Sequence, residues 1–108
     1  MECGHVGILT VDLHLPEGSS LKTKRKELLR LRSALERRFS CAVAEVDHHD
    51  LWQRAGLTLA LVSRTAGEAD ERLSGALRML HADAAFQVVG ESRDLVAVSD
   101  DHTISWEL

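Results

Sequence analysis

The sequence predicts an α+β fold, a four-stranded antiparallel sheet with two helices on one face. Three observations predict it. Segments that alternate apolar and polar residues occur four times. Two longer segments with helical periodicity separate them in the order β-α-β-β-α-β. The chain has 108 residues, room for one domain with a single modest core. Right-handed crossovers then favour the split arrangement with spatial order 4-1-3-2, a ferredoxin-like sheet.

The first strand is HVGILTVDLHL (5–15), with Leu9, Val11, Leu13 and Leu15 alternating with Thr10, Asp12 and His14. Pro16-Glu17-Gly18 breaks it, and Ser19 or Ser20 can cap a helix. That helix runs to about Arg38, with Leu21, Leu28, Leu31, Leu35 and Phe39 on one stripe and Lys22, Lys26, Arg30 and Arg37 opposite. A second strand follows at 41–48 and a third at 57–63, joined by a loop. Thr65 to Glu68 has capping-box spacing ahead of a second helix ending near His81. Its inward residues are Ala69, Leu73, Ala76, Leu77 and Leu80. Phe86 to Val89 form the fourth strand. Residues 1–92 make the domain, and 93–108 a C-terminal extension, either an added strand at 95–98 or a loose acidic tail.

Composition excludes several function classes. No apolar run approaches the ~18–20 residues that cross a bilayer. The N-terminal stretch has no basic n-region, so a signal peptide is not expected. Cys3 and Cys41 are too few for a disulfide scaffold and fit a reducing cytoplasm. Neither has a CxxC partner, and no P-loop or GxGxxG is present, so no cofactor is expected.

The net charge of −4 conceals a concentrated basic element. Eight of the 13 basic residues lie between Leu21 and Arg38, opposed only by Glu27 and Glu36. Several sit in the first turns of the predicted helix, at the positive end of its dipole. Each cation there costs ~0.3–1 kcal/mol, a cost that a bound anion removes.

The topology brings this helix start to the same sheet edge as the 47–54 loop. The predicted phosphate contacts are Ser20, Lys22, Lys24, Arg25, Lys26, Arg30 and Arg54, with Trp52 stacking on a base or plugging the core. Replacing Lys24 and Arg25 by Glu is expected to abolish binding without unfolding the domain. The sheet face opposite the helices, predicted to carry Ile8, Thr10, Asp12, Cys41, Val43, Glu45, Asp47, Thr58, Ala60 and Val62, has acids and no aromatic residue. It is unsuited to reading an RNA or DNA sequence. Its apolar centre, Ile8, Val43 and Val62, is a candidate face for a second copy or another protein. Asp47-His48-His49-Asp50 suggests metal ligands, but consecutive strand residues point to opposite faces, and strand spacing holds Asp12 about 10 Å from the second strand. No metal is expected.

The runs VDLHLPEGSSLKTKRKEL and AEVDHHDLWQRAGLTLALVS closely resemble the YlxP-like family of small bacterial proteins, whose members have no defined activity. The resemblance covers about residues 5–90 and rests on S-L-K-x-K-R and A-E-V-D-H-x-D-L-W-Q-R. It implies a ferredoxin-like fold and a cytoplasmic role near translation, since such proteins are typically encoded beside initiation-factor and ribosome-maturation genes. The expected function is therefore non-enzymatic association with ribosomal RNA or a ribosomal subunit. The alternatives are a dimerisation or protein-docking module and, third, a small metal- or phosphate-handling enzyme.

Overall fold

A computed structural model describes residues 2–16 and 19–99. Its elements are β1 (His5–His14), α1 (Leu21–Phe39), β2 (Ala42–Asp47), β3 (Arg54–Ser63), α2 (Ala66–Ala82) and β4 (Gln87–Ala97). They form one antiparallel sheet in the order β2-β3-β1-β4, the predicted ferredoxin-like topology. Glu17, Gly18 and residues 100–108, including Ile104 and Trp106, lie outside the described residues.

Local chemistry sets the boundaries. The Ser20 side chain accepts the Thr23 N–H and caps α1, and Thr65 accepts the Glu68 N–H and caps α2. Ser40, at a left-handed φ of 50°, ends α1. Leu9, Val11 and Leu13 of β1 meet Leu28, Leu31 and Leu35 of α1 and Ala69, Leu73, Ala76 and Leu80 of α2 in one core. The core is nearly all aliphatic, with Phe86 its only fully buried aromatic residue among those described.

Three features differ from the sequence reading. β3 begins at Arg54, so the β2–β3 connection is residues 48–53. β4 is continuous from Gln87 to Ala97, so residues 93–97 extend the fourth strand and do not begin a separate one. Gly90 lies within the strand, beside a bulge between Asp12 and Leu13.

The third difference is the phase of β2. Val43 is 8% exposed and belongs to the core, not to the open face. Cys41 packs against the core, and Glu45 turns toward α1. Both phases of C-A-V-A-E-V-D carry small or apolar residues, so alternation alone does not choose between them. A bulge between Glu45 and Asp47 returns Asp47 to the open face, opposite Gly56. Ile8 and Val62 do lie on that face, Val62 at 69% exposure.

Candidate nucleic-acid interface

The α1 start and the 48–53 loop meet as predicted, and Lys24 joins them. Lys24 is 1% exposed. Its Nζ donates to the carbonyls of His48 (2.6 Å) and Leu51 (2.7 Å) and lies 3.0 Å from Glu45 Oε2. His48 adopts φ 62°, and its carbonyl also accepts the Leu51 N–H. The loop thus wraps its carbonyls around a buried ammonium. Lys24 is therefore a structural cation with no surface to offer a phosphate. Position 24 continues the spacing of Leu28, Leu31 and Leu35, so the helix places it in the core stripe.

Three other predicted phosphate ligands are also engaged. Arg30 bonds Glu27 (2.8 Å) and Asp83 (2.9 Å), tying α1 to the end of α2. Burial works to lower its pKa, but the two carboxylates outweigh it and hold the guanidinium above its ordinary value. Arg54 pairs with Asp12 on the open sheet face, away from α1. Ser20 is occupied as the cap, its hydroxyl also bonding Thr23 Oγ1 at 3.1 Å. Trp52 is half-buried and lies outside the core cluster, so it does not plug the core.

Lys22, Arg25 and Lys26 remain. All three are exposed, and among the described residues no carboxylate pairs with them. The first turn of α1 contains no acidic residue. Arg37 projects from the same outer ridge, about 22 Å along the helix at 1.5 Å per residue. Leu29 stands between them at 67% exposure. Sequence reasoning gave neither Leu29 nor Arg37 a role; Leu29's place on the polar side of the helical wheel was the available signal.

Gly56 shapes the other side of the loop. A Cβ there would lie 2.8 Å from that of Asp47. Its absence lets the loop fold over the sheet, so His48 Nε2 comes within 3.7 Å of both Asp12 and Asp47 despite the intervening strand. His48 N–H donates to Asp47 Oδ1 (2.8 Å), and His49 Nε2 contacts the Glu45 carbonyl (3.1 Å). These contacts shape the turn. Among the described residues, no three His, Cys, Asp or Glu side chains are placed to hold a metal ion.

A model of the DUF503 family, described as a protein of unknown function, matches residues 6–93. The chain belongs to the DUF503 family. A relative of this DUF503 protein is the "Uncharacterized protein YlxP" of Bacillus subtilis (strain 168), 25% identical over 75 residues, covering 69% of this chain and 82% of the relative. Among solved structures, "Structural Genomics, protein YJCS" superposes with a TM-score of 0.50 at 9% identity, covering 82% of this chain and 96% of the other. That likeness concerns the fold alone. No helix among the described residues is long and apolar enough to cross a membrane.

Proposed function

We propose that this DUF503 protein is a non-enzymatic RNA-associated protein that grips the phosphate backbone through the exposed ridge of α1. Lys22, Arg25 and Lys26 carry the contact, and Arg37 extends it. Ribosomal RNA within a subunit is the proposed partner, in subunit maturation or translation. The observation that supports the reading is the uncompensated first turn. Lys22 stands in the first turn, where the helix already presents positive partial charge, Arg25 and Lys26 follow in the second, and no described carboxylate pairs with any of the three. Phosphate oxygens relieve this repulsion and accept the free donors.

The open sheet face offers no competing RNA platform. It carries Asp12, Asp47 and Asp94, and no Phe, Trp or Tyr among the described residues. The proposed contact therefore reads backbone shape and charge, not base identity. Half-buried Trp52, in the loop that Lys24 ties to α1, is the residue proposed to stack on a single base.

The test is cosedimentation with purified ribosomal subunits. The triple variant Lys22→Glu, Arg25→Glu, Lys26→Glu is expected to remain in the supernatant while wild type pellets. Arg54→Gln, on the other face, is expected to pellet like wild type. Equal pelleting of the triple variant and wild type would refute the assignment.

A further inference from the structure

The edge of the sheet carries a second interaction surface. β4 is the outer strand beside β1, 11 residues long, with no strand beyond it among the described residues. The other edge, β2, has six residues and a bulge. Between Gly90 and Ala97, β4 pairs with β1 in unbroken register and contains neither proline nor lysine. These residues are all exposed, including Leu95 (41%) and Val96 (48%), and Val89 before them is 50% exposed. Such an edge is a template for another strand unless something blocks it.

The charges on β4 indicate which strand. Two copies pairing antiparallel through the same edge are related by a two-fold axis, so each contact occurs twice. An axis at Glu91, Arg93 or Asp94 sets that residue against its own copy. An axis at Leu95 sets Asp94 against Val96 and leaves the charges without counterions. An axis at Ser92 sets Glu91 against the second copy's Arg93 and Arg93 against the second copy's Glu91. Asp94 then faces Gly90, and exposed Val89 comes beside exposed Leu95.

The side chains are free to do this. Among the described residues Arg93 commits only Nη1, to Asp70 (2.7 Å) and Ser74 (2.9 Å), leaving Nε and Nη2 for a second copy. Glu91 is half-exposed, and among the described residues only His81 comes near it, at 3.6 Å. Glu91 and Arg93 stand opposite Val11 and Leu9, hence on the helix side of the sheet. Opposed residues of antiparallel strands share a face, so both helix pairs fall on the same side.

We propose that β4 is a dimerisation edge: two copies pair antiparallel about Ser92 into one eight-stranded sheet, locked by reciprocal Glu91–Arg93 pairs. The proposal concerns the sheet edge, not the open face suggested by the sequence, and is independent of RNA binding.

Sedimentation equilibrium of the full chain tests it. Wild type is expected to reach twice the 11.9 kDa of one chain as concentration rises. Glu91→Arg replaces two attractions per dimer by two repulsions and is expected to weaken association roughly tenfold. Combining Glu91→Arg with Arg93→Glu is expected to restore the dimer. Independently, Ser92→Cys, with Cys3→Ser and Cys41→Ser, is expected to oxidise to a covalent dimer, whereas Asp94→Cys in that background should not. A wild-type chain that stays monomeric up to its solubility limit overturns the proposal. So does a dimer that ignores Glu91→Arg and forms no Ser92→Cys crosslink.

Discussion

Removing the Lys24 ammonium leaves Glu45 and the carbonyls of His48 and Leu51 without their shared donor. Loss of one partner from a buried pair costs about 3–5 kcal/mol, so Lys24→Met is expected to lower the denaturation midpoint sharply. Lys22→Met, two residues away and exposed, should change stability by no more than about 0.5 kcal/mol. Urea titration of the two variants distinguishes a structural lysine from a surface one. Lys24→Glu would bury two facing carboxylates, so the Lys24/Arg25 double reversal mixes unfolding with loss of binding and cannot test the RNA surface. Cys41 offers a second residue-level check. Burial first, and repulsion from Glu36 second, push its thiol pKa above the ordinary value. The neutral thiol is then favoured in the folded state. Its contribution to stability is present below the pKa of the unfolded thiol and fades as pH rises through the folded value. In a Cys3→Ser background, alkylation of folded Cys41 should accelerate only above the pH at which the denatured chain reacts.

At the scale of elements, α1 should show a conflict between stability and binding. Ser20→Ala removes the cap and is expected to cost about 0.5–2 kcal/mol. Lys22→Glu places an acid in the first turn and should add about 0.3–1 kcal/mol at low salt while removing an RNA contact. Thermal melts with parallel binding assays would expose that opposition, and a Lys22→Glu variant that melts lower would argue against it. Gly56→Ala drives a methyl into Asp47, and overpacking of this kind costs about 1–3 kcal/mol in a denaturant titration. The elements were largely legible because Leu-rich helical spacing and strand alternation are clear in β1, α1 and α2. The phase of β2 was not, because alanine and valine occupy both of its faces. The bulges that set Asp47 and Gly90 are pairing irregularities, and the sequence of one strand does not reveal them. Among the site residues, the meeting of α1 with the 48–53 loop was readable from topology. The burial of Lys24 has a signal in its spacing from Leu28, Leu31 and Leu35, which a charged side chain at that position masks. Glu27 lies within helical reach of Arg30, but Asp83, its other partner, and Asp12, the partner of Arg54, lie 53 and 42 residues away in sequence, beyond the reach of local patterns.

Across the whole molecule, seven of the eight basic residues of α1 divide into two populations, with Arg38 set apart over the Phe39 ring. Lys24, Arg30 and Arg32 are engaged by the protein's own groups, on the loop, at the end of α2 and on the Val43 carbonyl, although Arg30 itself is exposed. Lys22, Arg25, Lys26 and Arg37 face solvent on one ridge. The acidic open sheet face lies on the opposite side, so a mildly acidic chain is polarised across its sheet. Polarity of this kind orients a protein on a polyanion with the sheet turned away, leaving the β4 edge accessible. The most direct measurement of the central claim is the salt dependence of binding to a ribosomal RNA fragment. Three phosphate contacts predict log K falling against log salt with a slope of about −2 to −3, and a much flatter line after Lys22, Arg25 and Lys26 are all neutralised. A wild-type slope near zero, or one unchanged by those substitutions, would contradict the account.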